Sequence, residues 1–108
     1  MSFKIFTIPP FDKQLKRLGK KYPSVKKEYI ELLKEIGTNP LSGKSIGNNC
    51  YKIRMSIASK GKGKSGGARV VTYVQVVETS VYLLTIYDKS EQDNLSDNEL
   101  SELLKYIP

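Results

Sequence analysis

Twelve residues from Ser59 to Val70, SKGKGKSGGARV, hold three lysines, an arginine and four glycines. Just upstream, Lys52 and Arg54 stand two apart in CYKIRM, and Lys89 follows the apolar run LLTIY. Cations at this density suit phosphate, because ammonium and guanidinium groups donate charge-assisted hydrogen bonds to its oxygens. Two phosphate-loop templates fail. Gly61, Gly63 and Gly66 satisfy G-x-G-x-x-G, but a helix must leave those glycines for its N-terminus to face a pyrophosphate. The β-branched and aromatic run from Ala68 to Val77 leaves them instead, and it predicts a strand. Gly43-Lys44-Ser45 lacks the earlier glycine of an ATPase loop, since Thr38 occupies that place. What remains is either a solvated hairpin loop or a loop that holds another phosphate.

Charge is unevenly distributed along the 108 residues. Residues 1–35 carry nine Lys/Arg against four acids, residues 36–77 seven against none, and residues 78–108 two against seven. A purely cationic middle third attracts nucleic acid whatever its sequence, and equally an acidic membrane surface or protein. With no histidine and one cysteine, the usual zinc spacings, histidine-based triads and an internal disulfide are excluded. Cys50 is expected to be a buried, inert thiol. No apolar run approaches a membrane span, and Met1–Phe6 lacks the apolar core of a secretory signal, so a cytoplasmic protein is expected. The length suits one domain, 1–108.

The elements that must position these cations follow from periodicity. Phe3–Ile8 predicts a short strand closed by Pro9-Pro10. Phe11, Leu15, Leu18 and Tyr22 fall at helical spacing; after Pro23-Ser24, Val25, Tyr29, Leu32, Leu33 and Ile36 form a second stripe, ended by Gly37. Two such helices in series predict a hairpin laid on a sheet. Residues 39–49, rich in Pro, Ser, Gly and Asn, predict a loop. Tyr51, Ile53, Met55 and Ile57 then alternate with Cys50, Lys52, Arg54 and Ser56, a strand with one buried face on which Lys52 and Arg54 project together. Strands over Ala68–Val77 and Val81–Tyr87 follow. Ser96 and Glu99 predict a capping box, and Leu95 with Leu100 a hydrophobic staple, for a last helix. The order β-α-α-β-β-β-α defines an α+β domain: an antiparallel sheet with the helix hairpin on one face and a C-terminal helix. Lys52, Arg54, Arg69 and Lys89 then either converge on the open face or are unrelated surface cations, and the clean alternation with no acids nearby favours convergence.

With that layout, CYKIRM, GKGKSGGARVVTY and LLTIYDKSEQDNLS make the chain resemble the RelE/HigB-like toxins of bacterial toxin–antitoxin pairs, in the branch with a glycine-lysine loop before the Gly-x-Arg-Val strand. The resemblance covers nearly the whole chain. It implies a metal-independent endoribonuclease, needing no cofactor, that enters the ribosomal A site, cuts messenger RNA there and is held inactive by a cognate antitoxin. No membrane or small-molecule partner is implied.

The resemblance places Lys52 and Arg54 at the family's paired basic positions and Arg69 at the arginine of the next strand. RNA cleavage without metal or histidine requires a base for the 2′-hydroxyl proton, cations for the phosphorane-like transition state and an acid for the departing 5′-oxygen. Crowding Lys52 beside arginines disfavours its ammonium form, which makes it the expected base, with Arg54 and Arg69 as phosphate clamps. Lys89 falls near a basic position of several relatives, where it either neutralises the leaving oxygen or holds phosphate. Lys60, Lys62 and Lys64 are expected to attract RNA or ribosome phosphates while the glycines let backbone approach. One departure stands out: where some relatives carry a functional tyrosine, this chain reads Gln92-Asp93-Asn94-Leu95. Tyr87, on an apolar strand, is expected to be a core residue with a wet hydroxyl, which leaves the general acid unassigned. The acids Asp93, Asp97, Glu99 and Glu102 are expected to face away from RNA or toward the antitoxin. A ParE-like gyrase poison or a plain RNA-binding module are the competing functions, because fold alone does not select among them.

Overall fold

A computed structural model describes residues 3–61 and 66–108. Lys62 and Lys64 lie outside the described residues. The elements are β1 (Lys4–Thr7), α1 (Pro9–Lys21), α2 (Val25–Thr38), β2 (Lys44–Gly47), β3 (Cys50–Met55), a 3-10 turn (Ala58–Lys60), β4 (Ala68–Gln75), β5 (Ser80–Asp88) and α3 (Asp97–Leu104). Among the described residues the strands form one sheet in the order β1-β5-β4-β3-β2, antiparallel except for β1, which runs parallel to β5.

Pro9 and Pro10 both end β1 and open α1, since the first helical turn has no use for the proline N–H. Asp12 lies in the first turn of α1 and Lys20 and Lys21 in its last, which complements the helix dipole. The apolar stripes of the hairpin bury Phe11 and Leu18 from α1 and Val25, Leu32 and Ile36 from α2. Cross-strand partners share a face, so Ile53, Val70 and Ile86 line one side and Lys52, Val71 and Thr85 the other. The hairpin covers the first side. The second is not left open along its length: α3 crosses it, with Leu100 beside Val71 and Lys52 around a small cavity.

Residues 39–49 are not all loop. Lys44–Gly47 pairs with β3 across an Asn48-Asn49 turn, both asparagines having positive φ (54° and 61°), as a tight hairpin demands. The four-residue edge strand KSIG carries no alternation long enough to predict it, and a register irregularity between Ser45 and Gly47 disturbs it further. At the edge of β5 beyond β1, the Gln14 side-chain carbonyl accepts from Thr85 Oγ1 (2.7 Å) and from the Ile86 amide (3.2 Å), which satisfies a donor that β1 is too short to reach. The capping box forms as expected: Glu99 N–H donates to Ser96 Oγ and Ser96 N–H to Glu99 Oε1, each at 3.1 Å. Among the described residues no helix is long and apolar enough to cross a membrane.

Candidate functional site

The register sets two like-charged pairs side by side. Arg54 of β3 stands opposite Arg69 of β4, and Lys52 opposite Lys44 of β2. Like charges directly opposite destabilise a sheet unless an anion or solvent separates them. Lys44, Lys52, Arg54, Arg69 and Lys89 line one cleft of about 670 Å³, with Glu35 of α2 and Gly43 at its rim. Nothing in the sequence marks Lys44, because its short strand has no pattern of its own; its partnership with Lys52 follows from the Asn-Asn turn.

The cations differ in how they are held. Arg69 is 5% exposed, and its Nη1 donates to the Ala68 carbonyl at 3.2 Å. Arg54 is exposed and Lys52 half-buried. Ion pairs among the described residues engage Arg17, Lys21, Lys60, Lys89 and Lys105, and not Lys44, Lys52 or Arg54. Lys89 Nζ contacts Asp93 Oδ1 at 3.1 Å and donates to the Asp93 carbonyl at 2.9 Å. Asp93 is largely exposed, so solvent or phosphate competes readily for that lysine. The contact also corrects the expectation that these acids face away from RNA or toward an antitoxin: Asp93 pairs with a lysine of the cationic cleft and Asp97 lines a small cavity with Lys52, whereas Glu99 and Glu102 line a separate cavity of about 330 Å³ with Gln14 and Thr85.

Lys60 does not belong with the phosphate-attracting cations. Its ammonium is buried, 2.6 Å from Asp88 Oδ1 and 3.1 Å from Ser90 Oγ, and lies 5.5 Å from the Tyr22 ring centroid. Asp88 points to the helix-hairpin side, so Lys60 is drawn under the sheet and away from the cleft. No sequence signal marks the pair, because 28 residues separate its members. Burial drives the Asp88 carboxyl up, but the Lys60 ammonium and hydrogen bonds from Ser90 outweigh it and hold the group well below the usual carboxylate range.

Tyr87 faces Arg69 across the sheet and is buried, as an apolar strand requires, yet its hydroxyl is dry. Among the described residues that hydroxyl has no hydrogen-bond partner. Burial raises the phenol's pKa, Arg69 opposes the shift, and Glu99 and Asp93 add to it. Cys50 is fully buried, and burial pushes its thiol up to about 11, the state of an unreactive sulfur.

A sheet with a helix hairpin beneath it and a recessed cluster of Lys and Arg above it defines a small α+β protein with a cationic cleft. The family model described as the RelE toxin of RelE/RelB toxin–antitoxin systems matches residues 11–107, and the chain belongs to this family. Solved structures share the fold. A mutant of the Escherichia coli toxin RelE in its free state matches with TM-score 0.66 at 20% identity, covering 100% of both chains. The isolated E. coli RelE toxin matches with TM-score 0.63 at 22% identity, over 99% of this chain and 100% of that one. The RelBE2 toxin–antitoxin complex of Mycobacterium tuberculosis matches with TM-score 0.63 at 15% identity, over 82% and 92%.

Proposed function

We propose that this toxin is a ribosome-dependent messenger endonuclease whose reaction centre is the cleft lined by Lys52, Arg54, Arg69 and Lys89. The observation that carries this reading is the pair of like-charged cross-strand contacts in one recess, Arg54–Arg69 and Lys44–Lys52, an arrangement suited to an RNA phosphate. Lysine is the residue type in the cluster that can take a proton, because an arginine keeps its charge. Lys52 removes the 2′-hydroxyl proton, the 2′-oxygen attacks phosphorus, and the 5′-oxygen departs. The products are a 2′,3′-cyclic phosphate and a 5′-alkoxide, which takes a proton from solvent water to become a 5′-hydroxyl end. Arg54 and Arg69 neutralise the charge that develops on the equatorial oxygens. Lys89, which also lines the cleft, meets the charge on the leaving oxygen.

By the same reading the protein acts in the cytoplasm, on messenger RNA within the ribosome, and is silenced by a cognate antitoxin. The relatives solved as toxin–antitoxin complexes from E. coli and M. tuberculosis support that partnership. The test is induced expression with mapping of messenger 5′ ends, comparing the parent with Lys52→Ala. Codon-phased 5′-hydroxyl ends from the parent alone are expected. Intact messengers during growth arrest would overturn the reading in favour of another target such as gyrase, and RNA binding without cuts would leave a binding module.

A further inference from the structure

The two ends of the glycine-lysine loop meet adjacent residues, Asp88 at the end of β5 and Lys89 just after it. On the entering side, Lys60 Nζ bonds Asp88 Oδ1 at 2.6 Å. On the leaving side, the Gly67 carbonyl accepts from the Lys89 amide at 3.0 Å. Asp88 is fully buried and accepts four hydrogen bonds: from Lys60, the Ser90 amide (2.9 Å) and the Ser90 hydroxyl (2.7 Å) on Oδ1, and from the Tyr22 hydroxyl (3.2 Å) on Oδ2. The turn that carries Lys60 is itself pinned to α2. Glu28 Oε2 accepts from the Ala58 amide at 2.7 Å, and Ser24 Oγ from the Ser59 amide at 3.0 Å.

Asp88 sits one residue before Lys89, and its register partner Ala68 sits one residue before Arg69. Alternation therefore aims the carboxylate at the hairpin side while its neighbours aim at the cleft. Such a pair is costly to bury, and its gross attraction is spent largely on desolvation, so stability alone is a poor reason for it. Geometry is a better one. The far end of β5 is also where the strand leaves the sheet, the place where a side chain is least constrained by neighbouring strands.

We propose that Lys60 and Asp88 are positioning residues: their buried pair fastens the base of the glycine-lysine loop to the end of β5, and so fixes Lys89 against Arg69 across the cleft. The pair touches no substrate. This inference rests on the endonuclease reading above and names what holds its geometry. A residue acting this way changes the rate of the bound complex more than its formation, because displacing a reacting group by about 1 Å costs on the order of 100-fold in rate.

The test is single-turnover cleavage of messenger on programmed ribosomes, run below each variant's melting temperature and titrated with toxin. The chains compared are the parent, Lys52→Ala, Lys60→Met, Lys60→Arg, Asp88→Asn, Lys89→Ala and the double variant Lys60→Met/Lys89→Ala. Lys60→Met and Asp88→Asn are expected to lower the saturated rate roughly 10- to 100-fold with little change in the half-saturating concentration. Lys60→Arg should recover most of the loss. The double variant should be no slower than Lys89→Ala alone, since the pair acts through Lys89. Losses that multiply in the double variant, or a folded Lys60→Met with the parent's rate, overturn the positioning role while the endonuclease reading stands. A parent that cleaves no better than Lys52→Ala removes both. Failure of Lys60→Met, Lys60→Arg and Asp88→Asn all to fold reduces the pair to a structural clamp and also overturns it.

Discussion

Lys52 and Lys60 are eight residues apart and meet opposite fates. Lys52 stands above the sheet in a recess with other cations, and no carboxylate lies within ion-pair distance of it among the described residues. Lys60 turns under the sheet and is neutralised by Asp88 with both side chains almost wholly buried. Lys44, Lys52 and Arg54 carry no ion pair among the described residues, so an incoming phosphate is their natural complement; the lower pair is closed, so it can act only on the protein itself. A basic composition therefore says less than which side of a strand each cation is on.

Breaking the upper cluster should have the largest effect. Arg54→Ala and Arg69→Ala are each expected to lower cleavage on programmed ribosomes by about 10²–10³-fold, the range seen when a donor to transition-state charge is removed. For Arg54, which is exposed, the unfolding midpoint should hardly move. Breaking the lower pair should cost stability as well as rate. Asp88→Ala strands a buried ammonium and is expected to cost about 3–5 kcal/mol in urea unfolding, while Lys60→Met/Asp88→Leu together should cost much less.

Acid sharpens the same contrast. Asp88 is held below its ordinary range when folded, so the unfolded chain binds its proton first and stability rises with pH there. The contribution is complete above the unfolded carboxylate value of about 3.9 and is lost as pH falls from there toward the depressed value. Thermal melts between about pH 2 and 7 should show this slope in the parent, and Asp88→Asn should flatten it.

Smaller effects belong to the joints. A Cβ on Gly67 would press on the Met55 carbonyl and on Ser56, so Gly67→Ala is expected to destabilise by roughly 1–3 kcal/mol in chemical unfolding, as overpacking does. The least change is expected from Asp93→Asn. Its contact with Lys89 is at the solvent edge and should be worth under about 0.5 kcal/mol to stability, with RNA affinity rising slightly as one repelling charge leaves.

Much of this arrangement was legible in the sequence wherever a local pattern governed the outcome. The alternation from Cys50 to Met55 set Lys52 and Arg54 on one face, and Ser96 with Glu99 announced α3 through bonds made within one turn. What was not legible depended on partners far along the chain. The strand Lys44–Gly47 forms because β3 offers it an edge, and its four residues carry no pattern of their own. Lys60 looked like one more loop lysine because Asp88 is brought beneath it only once β5 lies next to β4. The buried, unpartnered hydroxyl of Tyr87 has the same origin, since it depends on residues brought to that face only in the folded chain.

In the proposed reaction Lys52 gives chemistry as well as charge, and Lys52→Arg separates the two. Single-turnover cleavage on programmed ribosomes should fall by about 100-fold or more in that variant, while toxin binding to the ribosome is preserved, because guanidinium keeps the charge and cannot accept the 2′-hydroxyl proton. A Lys52→Arg toxin that cuts at the parent's rate would contradict the assignment of Lys52 as the base and leave the cleft as an electrostatic cradle alone.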